Sequence, residues 1–148
     1  MSVLIRLWHA RSLWKWAGAR TEMSRGNEGK AVEILLQTNL PNGYKQIALA
    51  QLGNCYLRMG RKAQAQKAYT DAIDSELSWG GRQKTEVSKY IVAYSKLFLS
   101  AASAKTYVGE SIDNMSLYEE LLSLNVSSRI KALLPLPPRS TIRQHVGM

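Results

Sequence analysis

Apolar residues recur every three or four positions along most of the chain, a spacing typical of amphipathic helices. The fold class predicted from this pattern is all-α, in a single helical domain over residues 1–134. The predicted helices cover residues 1–23, 27–39, 44–59, 62–75 and 84–105, a sixth helix beginning at Ser116, and a short seventh over 128–134. Residues 135–148 contain three closely spaced prolines at positions 135, 137 and 138, which predict an extended tail.

Residues with strong positional preferences mark several helix ends. Asn27 is placed to cap the second helix through its side chain. Gly60 follows the third helix, where a left-handed residue is expected. Ser116 and Glu119 form a capping-box pattern, which predicts that the sixth helix starts there after a break over residues 107–111.

An internal repeat is the strongest signal in the sequence. A shift of Gly60 back by 34 positions reaches Gly26, and the same shift takes Ala65 to Ala31. A period of about 34 residues with helix–turn–helix content is the spacing of tetratricopeptide repeats. The segment 46–77 resembles that family in its small and large core positions, which are Leu52, Gly53, Tyr56, Gly60, Ala65, Tyr69 and Ala72.

The flanking segments depart from the family pattern. In the first, Gly18 and Ala19 stand at the Leu-Gly position and Glu22 replaces the aromatic residue. In the third, Glu86 and Val87 stand at the Leu-Gly position. A carboxylate is costly in an aromatic core position, so Glu22 is the largest departure. Terminal pairs of such arrays are usually atypical, which allows these segments to be capping pairs.

The resemblance implies a right-handed superhelical array of about three antiparallel helix pairs, an α-solenoid with a concave groove. Members of the family bind peptides or partner helices there and are rarely catalytic. The resemblance therefore implies an adaptor, an assembly chaperone or a small structural subunit of a complex. The positions that it places in the peptide-binding groove are Trp16, Arg20, Ile47, Ala50, Asn54, Leu57, Arg58, Lys84 and Ser88.

Asn54 and the groove cations define the ligand that the resemblance implies. An asparagine at this position commonly hydrogen-bonds the backbone of a bound peptide in the family. With Arg20, Arg58 and Lys84 nearby, the groove would be positive and would suit an acidic protein segment or a C-terminal carboxylate. Other interpretations remain open: the cations are ordinary solvated charges, Asn54 is a polar residue beside a turn, or the C-terminal tail occupies the groove in cis.

Three interpretations of residues 1–23 also stay open. The segment is the first helix of the array, a basic amphipathic helix on a membrane surface, or a mitochondrial-type targeting segment. The residues that would dock on a membrane or a partner are Leu4, Trp8, Arg11 and Trp14. Burial of the N-terminal tryptophans separates the first interpretation from the second.

Composition limits the functional classes without selecting one. The net charge is +9, from 20 Lys and Arg against 11 Asp and Glu, and it suits an acidic protein, an anionic membrane or nucleic acid. Nucleic acid ranks last, because aromatic residues interleaved with basic ones occur only over residues 8–16. No apolar run of membrane-spanning length is present. The expected location is cytoplasmic, with the mitochondrial matrix or the inner-membrane face as the alternative.

No motif of catalytic or metal-binding chemistry is found in the sequence. His9 and His145 have no second ligand at metal-binding spacing. Cys55, the one cysteine, falls on the apolar side of the third helix, which favours a small buried residue over a nucleophile. We therefore expect a protein that is not an enzyme and needs no cofactor.

Overall fold

The computed structural model describes residues 3–79, 85–103 and 108–136, with side chains over 11–79, 85–102 and 115–136. Within these ranges all regular structure is helical, which confirms the all-α prediction. The helices are α1 (Val3–Ser24), α2 (Glu28–Gln37), α3 (Lys45–Arg58), α4 (Lys62–Ser78), α5 (Glu86–Ser103), α6 (Val108–Ser123) and α7 (Ser128–Leu133).

Helix α3 lies at the centre of the packing. It packs against α2 and α4, its neighbours in sequence, and also against α5. Helix α4 packs in turn against α5, α5 against α6, and α1 against α2. Ten of the fourteen residues of α3 are buried, which is why so few of its polar side chains face water. The turns from α1 to α2 and from α3 to α4 are only three residues long, and such short turns make the joined helices antiparallel neighbours.

The two short turns, at Gly26 and Gly60, share one backbone geometry. The two glycines have φ values of 80° and 76°, the left-handed conformation expected at a helix C-terminus. The residue after each glycine donates its N–H to a carbonyl five positions back, from Asn27 to Glu22 and from Arg61 to Tyr56, both at 2.9 Å. Both turns are therefore Schellman motifs.

Glu22 lies at the α1–α2 turn, where its carboxylate has a hydrogen-bond partner and an ion-pair partner. Its carboxylate accepts a 3.0 Å hydrogen bond from Nδ2 of Asn27 and lies 3.5 Å from Nζ of Lys30. These partners offset the cost of placing a carboxylate where the next pair has an aromatic ring. Asn27 is the N-cap residue of α2, as predicted, but its side chain makes no capping hydrogen bond and instead donates from Nδ2 to Glu22.

Helix α6 differs from its prediction. It begins at Val108, so Ser116 lies inside the helix and the predicted capping box is wrong. The break predicted over 107–111 is wrong at residues 108–111, which are helical, whereas residue 107 lies outside the described residues. A Ser followed by Glu at this spacing is a local signal, and it caps a helix only where the preceding residues leave the helical conformation. Helix α4 is also longer than predicted and continues to Ser78.

Candidate functional site

The polar side chains of α3 point into a buried network. Asn54 accepts a 2.6 Å hydrogen bond from the hydroxyl of Tyr69 on α4 and donates a 3.0 Å bond to the hydroxyl of Tyr94 on α5. Tyr94 then donates to the carbonyl of Pro135, at 3.3 Å. The network therefore runs from α4 through α3 and α5 to the backbone that follows α7.

A second chain of hydrogen bonds starts on α1. Nε1 of Trp16 donates to Oε1 of Gln51 at 2.6 Å, and Nε2 of Gln51 donates to the carbonyl of Leu133 at 3.2 Å. Beside it, the hydroxyl of Tyr90 donates to the carbonyl of Leu134 at 2.7 Å. Three successive carbonyls, those of residues 133, 134 and 135, thus each accept a hydrogen bond from a side chain of α3 or α5.

Burial keeps the tyrosine hydroxyls of the network neutral. It raises the pKa of Tyr90 to about 12, and it raises the pKa values of Tyr69 and Tyr94 well above their ordinary value. The positive charge of Arg58 opposes the shift at Tyr69 and Tyr94 but does not outweigh burial. The hydroxyls therefore act as fixed donors at all ordinary pH values.

An open cavity of about 590 Å³ lies between α1, α3 and the end of α7. The cations on its wall are Arg20 from α1 and Arg58 from α3, and both are exposed. None of its described lining residues is acidic, so the charge of its lining is positive. The remaining lining residues are Ala17, Thr21, Met23, Ser24, Gln51, Asn54, Ala132, Leu133 and Pro135.

The residues predicted to line a groove are placed in three different environments. Arg20, Asn54 and Arg58, which the resemblance placed in the groove, all line the cavity. Ile47 and Ala50 are buried in the core. Trp16 and Ser88 are also buried; Trp16 donates to Gln51 and Ser88 donates to Glu76. Leu57 is half-buried, and Lys84 lies outside the described residues.

The tryptophans of α1 divide between core and surface. Trp16 is 6% exposed and packs edge-on against Tyr44 with ring centroids 5.7 Å apart, whereas Trp14 is 80% exposed. Arg11 is exposed on the same helix. The side chains of Leu4 and Trp8, the other predicted docking residues, lie outside the described residues. The C-terminal half of α1 is therefore part of the core, with one aromatic side chain left in solvent.

The sequence did not single out Gln51, Tyr94 or residues 133–135 as parts of this site. Gln51, at the centre of helix α3 and flanked by Ala50 and Leu52, was a usable signal, because a buried amide requires hydrogen-bond partners. No local signal could have found the carbonyls, since backbone groups carry no sequence information.

No group of His, Cys, Asp or Glu side chains within the described ranges is arranged to hold a metal ion. Cys55 is fully buried, and burial raises the pKa of its thiol to about 11. Of the helices that the structure describes, none has the length and apolar character needed to cross a membrane.

Comparisons with protein-family models, with curated proteins and with solved structures found no match to this chain.

Proposed function

We propose that the chain is a non-catalytic protein-interaction module that binds an acidic partner segment at the cavity between α1, α3 and α7. The observation that carries the proposal is the pair Arg20 and Arg58 on the wall of a cavity whose described lining contains no carboxylate. An adaptor, an assembly chaperone or a small subunit of a complex would each use such a surface.

The architecture that we propose is a right-handed superhelical array of about three antiparallel helix pairs, similar to tetratricopeptide repeats. Its support is the pair of equivalent Schellman turns at Gly26 and Gly60 and the packing of α3 against both α4 and α5. In this architecture α1, α3 and α5 are the first helices of successive pairs, and the cavity lies against the first two of them, α1 and α3.

The two arginines determine what kind of binding we expect. Arg20 and Arg58 are not among the ion-paired residues of the described chain, where the basic partners are Arg25, Lys30, Lys67 and Lys89. Exposed ion pairs contribute only about 0.2–1 kcal/mol each, so the affinity is expected to be modest. Charge of this kind mainly increases the association rate and makes binding weaken as salt is added.

Fluorescence anisotropy with a labelled hexaglutamate peptide carrying a free C-terminal carboxylate tests the proposal. The charge-reversal variant R20E/R58E is expected to weaken binding by about tenfold or more. The matched control is K45E/K62E, which changes the net charge by the same amount. Both positions are exposed and lie in the first turn of a helix, where a carboxylate is favourable. An equal loss in both variants would show that only the overall charge is recognised and would count against a site at the cavity.

Peripheral membrane binding through α1 is a second candidate function, which the exposure of Trp14 favours. Arg11 and Lys15 are exposed beside it, and tryptophan with basic residues is the composition of interfacial helices. Against it, α1 does not separate its apolar and polar residues onto opposite faces, and Trp16 is in the core.

Flotation with vesicles of phosphatidylcholine and phosphatidylserine tests this second candidate. Trp14→Ser should abolish flotation, while Leu36→Ser, at an exposed leucine on α2, should leave it unchanged. If the wild-type protein does not float with anionic vesicles, the candidate is excluded.

A further inference from the structure

The segment Ser128–Leu136, which we term the strap, lies against α3 and α5 although it comes from the far end of the chain. It consists of α7 and the three residues that follow it. Gln51 and the carbonyl that it bonds are 82 positions apart in sequence, and Tyr90 and its carbonyl 44 positions. The side chain of Leu134 is fully buried, whereas α7 itself has no buried residue.

The strap is recognised through its carbonyls. The last carbonyls of a helix have no partner within the helix, and here Gln51 and Tyr90 supply donors to residues 133 and 134. The strap needs no hydrogen-bond acceptor from α3 or α5 at this point. The N–H of Leu134 donates to the carbonyl of Ile130 within the strap, and Pro135 has no N–H. Gln51 and Tyr90 therefore recognise the end of a helix that is followed by a buried leucine and a proline.

The strap also limits the space at the candidate site. With the strap in place, the cavity of about 590 Å³ has Ala132, Leu133 and Pro135 as one of its walls. That volume lies in the range of small-ligand pockets. Release of the strap would join the cavity to the surface that the strap covers and would produce a longer groove able to hold an extended segment.

We infer that the strap is an intramolecular occupant of part of a peptide-binding site and that it covers this part, beside the open cavity, until a partner segment displaces it. The identity of the displacing segment as acidic rests on the function proposed above, but the existence of the site does not. The strap is suited to displacement because a six-residue helix is not stable alone and Leu134 is its one fully buried side chain. Its other attachments are three carbonyls and the partly buried side chains of Ile130, Leu133 and Leu136.

Hydrogen exchange of the full-length chain tests whether the side-chain donors hold the strap. Tyr90→Phe keeps the ring and removes only the bond to the carbonyl of Leu134, so the amides of the strap should exchange about fivefold faster, while those of α4 stay unchanged. Tyr56→Phe, on α3, is the matched control and should leave strap exchange at its wild-type rate. Unchanged strap exchange in Tyr90→Phe would overturn the inference.

Binding of the strap in trans tests whether it occupies an autonomous site. The probe is a labelled peptide of residues 128–136, SRIKALLPL, and the receptor is full-length Leu134→Asp, whose own strap is expected to leave the site. We expect the probe to bind this variant at least about tenfold more tightly than wild type, and to lose that gain when Tyr90→Phe is added. If Leu134→Asp fails to fold, as judged by circular dichroism, Leu134→Ala becomes the receptor, because it weakens the strap and leaves Tyr90 in place, and it should bind more probe than wild type.

The outcomes separate this inference from the proposed function. Binding of the strap peptide without binding of hexaglutamate would support the site and count against an acidic partner. Failure of the strap peptide to bind a folded receptor would overturn the inference and leave the strap as a fixed part of the core, whatever hexaglutamate does.

Discussion

The ring of Tyr69 on α4 lies directly against the backbone of Gly53 on α3. A Cβ atom at position 53 would be 2.6 Å from the ring, closer than side-chain carbons approach. The ring cannot move aside easily, because it is fully buried and its hydroxyl is bonded to Asn54. Thirty-four positions earlier in the sequence stand Ala19 and Leu35, a larger residue than the glycine and a smaller one than the tyrosine.

This relationship predicts a strong coupling between positions 53 and 69. Gly53→Ala alone should destabilise the protein by about 1–2 kcal/mol, because overpacking outweighs the better helix propensity of alanine. In a Tyr69→Leu background the same substitution should be neutral or stabilise by about 0.5–1 kcal/mol, since the smaller side chain leaves room for the methyl group. Urea unfolding of the four proteins of the cycle measures the coupling.

Gly18 provides the control for that cycle, because a Cβ there would meet no atom within 4 Å. Gly18→Ala should stabilise α1 in both backgrounds. Additive effects of Gly53→Ala and Tyr69→Leu would show that the two residues are not in close contact.

Asn54 is predicted to stabilise the core through its two hydrogen bonds. Asn54→Ala removes the acceptor of the Tyr69 hydroxyl and the donor to Tyr94, both in buried positions. A buried polar group left without its partner costs about 1–3 kcal/mol, and the unfolding free energy should fall by at least this much. Asn125→Ala, at an exposed position, should change it little. Wild-type stability in Asn54→Ala would mean that the network is not formed.

The stability of the protein should decrease in acid because of Glu22. The hydrogen bond from Asn27, and then the charge of Lys30, hold the pKa of Glu22 below its ordinary value of 4.5, although burial opposes them. A folded pKa below the unfolded one stabilises the protein above about pH 4.5, and the effect is lost as the pH falls through the folded pKa. Urea midpoints between pH 7 and pH 3 measure it.

The matched pair for that experiment is Glu22→Gln and Asp74→Asn, the second at an exposed carboxylate of α4. The stability difference between wild type and Glu22→Gln should shrink from pH 7 to pH 3. This decrease should be larger than any change found for Asp74→Asn. A constant difference for Glu22→Gln would contradict the lowered pKa.

Cys55 should be unreactive in the folded protein. Burial raises the pKa of its thiol to about 11, and the positive charge of Arg58 opposes this only in part. At pH 8 only about one thiol in a thousand would be ionised, and that one is inaccessible. Labelling with a disulfide reagent should therefore be slow under native conditions and complete in guanidinium chloride. Rapid native labelling would show that α3 opens readily or that the thiol is exposed.

Helix positions and short turns were predictable from the sequence because both depend on local interactions. The apolar spacing identified the helical segments. Gly60 marked a turn because glycine adopts the left-handed backbone conformation at little cost in free energy. The start of α6 was predicted wrongly because the local pattern there has two possible outcomes. Ser116 and Glu119 match a capping box, but whether such a pattern starts a helix depends on the conformation of the residues before it.

The candidate site was only partly predictable. The resemblance implied that Arg20, Asn54 and Arg58 lie near one another, and in the structure all three line one cavity. Whether Asn54 faces a ligand or the interior could not be read from spacing, because its partners lie on two other helices, the hydroxyls of Tyr69 and Tyr94.

By itself, the sequence determined the all-helical class and the equivalent turns at Gly26 and Gly60, since hydrogen bonds within helices and glycine conformations are set by nearby residues. The tertiary structure alone decided that Trp16 is buried while Trp14 is exposed, and that residues 133–135 lie against Gln51, Tyr90 and Tyr94. The physical reason is that helical periodicity specifies which face of a helix is buried, whereas the identity of what covers that face depends on packing between segments far apart in the chain.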